Sequence, residues 1–306
     1  MDARYDEYSR AVAETKVFYD KFALYYDEFV PPKESRTDRV DSLVAYIKKK
    51  TSCSNERLRL LELGCGTGSY TIPLVQSGHD VIGVDISDGM REIGIKKMEG
   101  RFPPDFEYIT SDWLSALQKW RNEFDCILCI GNSLSHNPPS ILPTLFSDIF
   151  NALKPGGLLI LNGRRIEREL DMIDGVDTSQ GETCRSGGPA RVQGKELQIV
   201  LRFMFMTKVA HLQEEKTAIT FYTYDNYERD GRRFVCHRML LDDSRTVESN
   251  SIPYDSWATK TYFIFEDQLI RVLEGAGFSG VREESPDENH FRMEKNWYVV
   301  AEKPIA

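Results

Sequence analysis

A glycine-rich turn after an apolar segment carries the clearest chemical signal in this chain. Residues 60–63 are apolar apart from Glu62 and predict a buried strand. Gly64, Gly66 and Gly68 then alternate with other residues before a predicted helix. Alternate glycines let the backbone turn tightly and approach a ligand that a Cβ atom would exclude, and the helix that follows presents free N–H groups. The turn therefore predicts a nucleotide-binding site.

An acidic residue ends the next predicted strand. Residues 81–84 are apolar or glycine, and Asp85 follows them. A carboxylate at this place can accept hydrogen bonds from both hydroxyls of a ribose, as in dinucleotide-binding folds. The dinucleotide pattern is G-x-G-x-x-G, however, and here Gly68 comes one residue early. With Glu62 before Gly64, the turn resembles the S-adenosylmethionine (AdoMet) loop of class I methyltransferases. That resemblance implies AdoMet as the cofactor, with Glu62 beside its amino group.

Charge and composition argue against several classes of function. The 306 residues carry a net charge of −9, whereas nucleic-acid binding depends on neutralising phosphates. No apolar run approaches membrane-spanning length, and the N-terminus lacks a signal-peptide core. Cys126 and Cys129 form a CxxC pattern inside an apolar strand, where core thiols are a better account than a metal or redox pair. We therefore expect a soluble, cytoplasmic protein with no metal and no membrane or nucleic-acid partner.

The order of predicted elements indicates an α/β fold. Two helices, at 7–29 and 36–50, precede a regular alternation of strands and helices, which is typical of a Rossmann-like parallel sheet covered on both faces. Strands are expected near 58–63, 80–84, 106–109, 124–130 and 157–162, and helices near 69–77, 88–98, 113–119 and 140–153. A helix at 266–276 and strands at 278–284 and 295–302 would complete the sheet with an antiparallel last strand.

Four regions are expected along the chain. They are a helical lid at 1–56, an AdoMet-binding core at 57–165, an antiparallel β cap with the substrate region at 166–263, and a helix with strands that complete the core sheet at 264–306. Within the cap, residues 171–196 carry Gly, Ser and Asp with little apolar content and predict a long loop. The predicted cap strands are 198–206, 217–227, 233–240 and 257–263.

Residues at the strand ends predict the pocket, because ligands of an open α/β sheet bind outside the carboxyl ends of its strands. After the second strand, Ile86 and Met90 are placed to enclose an adenine. After the third, Asp112 can accept a hydrogen bond from the adenine amine and Trp113 can cover its face, with ordinary helix packing as the alternative for Trp113. The fourth strand ends at Ile130, beside the sulfonium end of the donor.

The segment after the fourth strand sharpens the resemblance. Gly131–His136 is similar to the corresponding segment of glycine N-methyltransferase and its glycine/sarcosine relatives, and so is the run 112–114. The resemblance implies that Asn132 contacts the substrate and that Arg164, after the fifth strand, holds the carboxylate of an amino-acid acceptor. Arg164 as a solvated strand-end charge is the structural alternative.

The same resemblance extends to other segments. Ser35-Arg36-Thr37 matches a stretch whose arginine pairs with the AdoMet carboxylate, and Tyr222 falls near a tyrosine that lines the substrate site. Arg36 as a surface residue and His136 as a loop cap are the structural alternatives. The expected catalytic residues are Asn132, Arg164 and Tyr222. The expected cofactor-binding residues are Tyr26, Arg36, Glu62, Gly64, Cys65, Gly66, Asp85, Ile86, Met90, Asp112, Trp113, Ile130 and His136.

The chain departs from that family at positions that concern the acceptor. The family has histidine before the anchoring arginine, where this chain has Gly163. Lys260 stands where an arginine is expected ahead of Tyr262, and residues 171–196 contain no tyrosine. The pattern Asn137–Ser140 resembles an Asn-Pro-Pro-aromatic signature, but a loop that ends at Ser140 as a helix N-cap accounts for it.

The sequence thus predicts an AdoMet-dependent N-methyltransferase that acts on a small carboxylated amine such as glycine or sarcosine. Two alternatives stay open. One keeps the donor and changes the acceptor to an amino-sugar, another specialised metabolite or an oxygen nucleophile. The other is an AdoMet-binding regulatory protein without turnover. Since relatives are often oligomeric, the resemblance also allows a homo-oligomer.

Overall fold

A computed structural model of the chain contains two β-sheets and the helices that pack on them. It describes residues 2–29, 36–51, 56–98, 106–164, 190–193, 198–201, 206–212, 215–228, 233–242, 256–262, 264, 266–286 and 296–305.

The core elements lie close to their predicted positions. The helices are α1 (Ala3–Phe29), α2 (Arg36–Thr51), α3 (Thr71–Gln76), α4 (Asp88–Lys97), α5 (Trp113–Leu117), α6 (Leu142–Ala152) and α7 (Glu266–Gly275). Short 3-10 helices lie at Ser133–His136 and Pro139–Ile141. The strands are β1 (Arg59–Leu63), β2 (Asp80–Asp85), β3 (Glu107–Thr110), β4 (Phe124–Cys129), β5 (Leu153–Arg164), β6 (Ala190–Gln193), β7 (Gln198–Leu201), β8 (Met206–Leu212), β9 (Glu215–Glu228), β10 (Arg233–Asp242), β11 (Ser256–Tyr262), β12 (Ser279–Glu283) and β13 (Asn296–Glu302).

The first sheet has the strand order β12-β13-β5-β4-β1-β2-β3. Strands β1 to β5 pair in parallel, whereas β13 runs antiparallel to β5 and β12. This topology confirms the predicted fold class, including the antiparallel last strand. The chain runs from β1 outward to β3 and then continues on the other side of β1 through β4 and β5. A crevice opens outside the carboxyl ends of the strands where the order reverses in this way, here between β1 and β4.

Apolar runs explain why this sheet forms and where its core lies. All six residues of β4 are buried, which fits a strand covered by helices on both faces. Ile127 and Cys129 belong to one cluster of buried side chains, while Cys126 and Leu128 belong to the other. The two cysteines are buried free thiols on opposite faces of the strand, so they cannot act as a pair.

The second sheet is antiparallel, with the order β11-β10-β9-β7-β6 and β8 paired to β9. The sequence predicted a single strand at 198–206; β7 and the first residue of β8 lie in this range, and residues 202–205 between them lie outside the described residues. Gln198 pairs with Tyr227 and Met206 with Phe221, so the register against β9 changes by two residues between the two strands. The predicted loop at 171–196 is wrong where β6 forms; its earlier part lies outside the described residues.

Helix α1 packs against α4 and β11. Thr15 of α1 and Thr259 of β11 are both buried, and their hydroxyl oxygens lie 3.1 Å apart. Gly89 at the start of α4 permits close packing, since a Cβ atom there would lie 2.9 Å from the carbonyl oxygen of Asp20. Over the ranges that the structure describes, no helix combines the length and the apolar character needed to cross a bilayer.

Candidate active site

A cavity lies between the inner face of α1 and the crevice at the carboxyl ends of the parallel strands. It encloses about 670 Å³ of empty space, solvent at its mouth included. We call it the cofactor cavity. Nine of the thirteen predicted cofactor-binding residues line it: Tyr26, Gly64, Gly66, Asp85, Ile86, Met90, Asp112, Trp113 and His136.

The glycine turn after β1 forms part of the floor of this cavity. Gly64 has φ +77° and Gly66 has φ +56°, in the left-handed region that other residues rarely adopt. A Cβ atom on Gly64 would lie 2.6 Å from Oγ of Ser133, so the turn and the loop after β4 meet only because this residue is glycine. A Cβ atom on Gly66 would face the ring of Tyr26 at 3.9 Å, on the cavity side. The structure thus contains the tight turn that the sequence predicts.

Asp85 joins the glycine turn to the end of β2. Its Oδ2 accepts a hydrogen bond from the backbone N–H of Gly66 at 2.8 Å, and its Oδ1 accepts one from Ser87 at 3.0 Å. Burial raises the pKa of the Asp85 carboxyl above its ordinary value, although these backbone N–H groups oppose the shift. The carboxylate therefore fixes the turn while it lines the cavity.

Glu62 and Cys65 lie below the turn and do not line the cavity. Oε2 of Glu62 accepts a hydrogen bond from the hydroxyl of Thr71, the first residue of α3. The side chain of Cys65 packs over Gly83 of β2, where a Cβ atom would lie 2.9 Å from its sulfur. Both side chains are buried, and the cofactor contacts expected of them remain predictions.

Asp112 links α5 to the roof of the cavity. Its Oδ1 accepts hydrogen bonds from the backbone N–H of Ser115 and from the hydroxyl of Tyr8, both at 3.0 Å. The Tyr8 hydroxyl in turn accepts one from the backbone N–H of Leu114 at 3.3 Å. Trp113 is buried in the core, as the packing alternative expects, and also lines the cavity; its contact with an adenine remains a prediction.

The loop after β4 also borders the cavity, through Gly131, Ser133 and His136. Asn132 has φ +65°, and its backbone N–H donates to Oδ1 of Asn162 at 3.0 Å. The backbone N–H of Gly131 donates to the same oxygen at 2.8 Å. Asn162 is buried on β5, so one side-chain oxygen holds the loop in its left-handed turn. Sequence analysis overlooked Asn162, although a polar residue in an apolar strand was a signal for it.

The side chain of Asn132 does not line the cofactor cavity. Its Nδ2 donates to Oγ of Ser135 at 3.0 Å. It lines a smaller cavity of about 220 Å³, which we call the second cavity, together with Leu134, Ser135, Asn162, Tyr262, Ile264 and Trp297. Ile130 is buried in the core and lines neither cavity.

Three predicted site residues can be placed by their backbone alone. Arg36 begins α2, Arg164 ends β5 opposite Asn296, and Tyr222 lies in β9 opposite Met239. Their side chains lie outside the described residues. The roles of Arg36, Arg164 and Tyr222 therefore stay predictions.

Helix α1 supplies a stripe of cavity residues that sequence analysis did not assign to the site: Tyr8, Val12, Thr15 and Tyr19. Their spacing of four, three and four residues places them on one helix face with Tyr26, and this periodicity was a readable signal. Asp20 Oδ1 accepts a hydrogen bond from Ser87 Oγ at 2.7 Å, and Asp27 Oδ1 accepts one from Thr67 Oγ1 at 2.8 Å. These bonds hold α1 over the cavity.

Comparison with known proteins agrees with this geometry. Residues 60–157 match a family described as a methyltransferase domain. This segment of the chain is a methyltransferase domain. It contains the glycine turn, Asp85, Asp112 and the loop after β4, whereas α1 precedes it and the antiparallel sheet follows it.

Relatives of the methyltransferase domain confirm the resemblance expected from the motifs. The glycine N-methyltransferase of Mus musculus is 27% identical over 160 residues, which cover 47% of this chain and 52% of that protein. The glycine/sarcosine N-methyltransferase of Aphanothece halophytica is 32% identical over 126 residues, which cover 40% of this chain and 46% of that protein. The chain thus spans about half the length of these curated relatives.

A solved structure shows that the likeness of fold extends beyond the methyltransferase domain. The crystal structure of an S-adenosylmethionine-dependent methyltransferase from Clostridium acetobutylicum matches with a TM-score of 0.59 and 15% identity. The match covers 94% of this chain and 99% of that one. At this identity the likeness concerns the fold alone.

Proposed function

We propose that this protein is an AdoMet-dependent N-methyltransferase that transfers a methyl group to the amine of a small carboxylated acceptor such as glycine or sarcosine. One observation carries the cofactor assignment. The left-handed Gly64–Gly66 turn and the buried Asp85 lie together on the floor of a cavity that Ile86, Met90 and Asp112 also line. The matches to glycine and glycine/sarcosine N-methyltransferases support the choice of acceptor.

The residues of the cavity fit AdoMet by their chemistry. A carboxylate such as Asp85 can accept from ribose hydroxyls, and Ile86 and Met90 offer apolar surface to a purine. Asp112 can accept from an exocyclic amine. AdoMet, when bound, supplies a methyl group on a sulfonium that is already activated toward an amine.

The chain itself then has to bind, orient and exclude water. In this proposal Arg164 holds the acceptor carboxylate in a bidentate pair, and Asn132 and Tyr222 contact the acceptor. The aromatic face of α1 covers the reactants. No side chain is required as a base if the amine binds in its neutral form. The division into lid, core, cap and closing strands is part of the same proposal, as is a cytoplasmic location.

Calorimetry with AdoMet, S-adenosylhomocysteine and a nicotinamide dinucleotide tests the cofactor assignment. We expect the first two to bind and the third not to bind. Asp85→Asn should weaken AdoMet binding at least about tenfold, which corresponds to about 1.4 kcal/mol, because an amide cannot accept both backbone N–H bonds. Asp80→Asn is the matched control, since Asp80 begins the same strand and pairs with Arg59 at 2.8 Å, far from the cavity. Equal affinities in the two variants would contradict the assignment.

A methylation assay with glycine, sarcosine, dimethylglycine and an amino-sugar tests the acceptor. Arg164→Ala should raise the KM for a carboxylated amine strongly and leave AdoMet affinity nearly unchanged. Arg165→Ala is the control, because it removes the neighbouring arginine in the sequence. Preference for the amino-sugar, with no response to Arg164→Ala, would contradict the proposed acceptor. AdoMet binding without S-adenosylhomocysteine release with any amine would favour a regulatory protein.

A further inference from the structure

Trp297 of β13 covers Gly163 of β5. The two residues are partners in the antiparallel register of these strands. A Cβ atom built on Gly163 would lie 2.0 Å from Cζ2 of the indole and 2.5 Å from Cε2. Trp297 is only 4% exposed, so its ring is enclosed by the protein. No side chain beyond the hydrogen of glycine fits at position 163 while Trp297 stays in place.

This contact explains the departure noted at position 163 of the sequence. The resemblance expects a histidine there, directly before Arg164. In this chain the volume of that side chain is instead filled from the neighbouring strand by the indole. A larger residue at position 163 therefore requires a smaller residue at position 297.

The indole also forms part of the wall of the second cavity. Asn132, Ser135 and Asn162 contribute polar groups to this cavity, and Tyr262 contributes a second aromatic ring. Its empty space of about 220 Å³ is about a third of the 670 Å³ of the cofactor cavity. The space beside Asn132 thus accommodates only a compact group.

Neighbouring residues of the loop after β4 line the two cavities. Gly131, Ser133 and His136 line the cofactor cavity, whereas Asn132 and Ser135 line the second cavity. A group in the second cavity would accordingly contact the side-chain amide of Asn132. Aromatic walls suit this place, because the alkylammonium product of N-methylation interacts favourably with aromatic faces.

We propose that Trp297 determines the size of the methyl acceptor. It closes the acceptor side of the site, so the amines that are methylated carry a substituent no larger than that of a short amino acid. This inference rests on the proposed function, because that function places the acceptor beside Asn132 and Arg164.

A series of unbranched α-amino acids, from glycine through alanine and norvaline to norleucine, tests the proposal. In the unaltered protein we expect kcat/KM to fall as the side chain lengthens. Trp297→Leu should raise the ratio of norvaline to glycine activity at least about tenfold, since one methylene in an apolar pocket changes such ratios by about 10–200-fold. Trp297→Phe should raise the same activity ratio by a smaller factor. It keeps an aromatic ring at this position, so the test can still be made if Trp297→Leu does not fold. AdoMet affinity should stay within about twofold, as Trp297 does not line the cofactor cavity.

Two further variants provide the controls. Trp120→Phe alters a tryptophan of similar burial that lines neither cavity, and it should leave the acceptor ranking unchanged. Gly163→Ala should lower the Tm strongly when it is made in the unaltered protein and much less when it is made in the Trp297→Leu variant. The reason is that the added Cβ atom clashes only with the indole. This comparison tests the contact itself without any assay of turnover.

The outcomes separate this inference from the function on which it rests. The same acceptor ranking in the unaltered protein and both Trp297 variants would overturn the inference alone. An unaltered protein that already prefers norleucine would do the same. AdoMet binding with no methylation of any member of the series would overturn the proposed acceptor class and this inference together.

Discussion

The hydroxyl oxygen of Tyr19 lies 3.0 Å from Nε2 of His136, and the two rings meet edge to face with their centroids 5.2 Å apart. Tyr19 is on α1 and His136 is the last residue of the 3-10 helix after β4. Both residues line the cofactor cavity. This pair therefore connects α1, which covers the cavity, to the loop after β4.

Tyr19→Phe should weaken this connection while the aromatic packing stays. A single intramolecular hydrogen bond contributes about 0.5–1.5 kcal/mol, so we expect AdoMet affinity to fall by a few-fold up to about tenfold. Calorimetry measures this change. Tyr5→Phe is the matched control on the same helix, because Tyr5 is 42% exposed and lies outside the cavity. Identical affinities for the two variants would mean that the Tyr19–His136 bond does not contribute to cofactor binding.

Asn162 should tolerate aspartate and not leucine. Asp keeps a side-chain oxygen that can accept hydrogen bonds from the backbone N–H groups of Gly131 and Asn132. Leu has no such oxygen, so both N–H groups lose their acceptor. An unsatisfied buried N–H costs about 1–3 kcal/mol. We expect Asn162→Leu to lower kcat by at least about tenfold and to reduce the free energy of unfolding, as measured by assay and urea denaturation. Asn162→Asp should stay close to the original protein in kcat. Equal loss in both variants would show that the accepting oxygen is not what matters.

Local patterns in the sequence were sufficient for the core of the fold. Apolar runs and the glycine turn depend on neighbours in the chain, so β1, β2 and β4 could be predicted within a residue or two. The pairing of β7 and β8 with β9 could not be predicted, because the register against β9 differs by two residues between the two strands. Register is set by pairing between distant segments, which the alternation within one segment does not contain.

The same limit applies to the site. Asp85 and Asp112 follow predicted strands, so their convergence at one edge of the sheet could be inferred. Tyr8 could not be assigned in this way, because its contact with Asp112 depends on how α1 crosses the sheet. Asn132 has a left-handed backbone and lines the second cavity, and the motif alone indicates neither.

Gly66→Ala and Gly78→Ala separate backbone strain from ligand contact. Both residues have positive φ, +56° and +86°, so alanine should destabilise the protein at either position by roughly 1–2 kcal/mol. Only the Cβ atom at position 66 would extend into the cofactor cavity, whereas a Cβ atom at position 78 has no neighbour within 4 Å. We expect a loss of AdoMet affinity in Gly66→Ala alone, with similar losses in urea denaturation for both. An equal loss of AdoMet affinity in the two variants would contradict a direct contact between Gly66 and the cofactor.

His79 should make stability depend on pH below neutrality. Its Nδ1 accepts the backbone N–H of Leu58 at 3.3 Å, and burial, with the positive charges of Lys48 and Arg57, lowers the pKa of His79. In the unfolded chain this pKa returns to about 6.5, so acid protonates the unfolded form first. The contribution of neutral His79 is therefore complete above about pH 6.5 and declines as the pH falls from there toward the lowered value. Urea denaturation should show a larger drop between pH 7.5 and 5.5 for the original protein than for His79→Gln. Because the other histidines titrate in both proteins, equal drops would mean that His79 binds a proton as readily when folded as when unfolded.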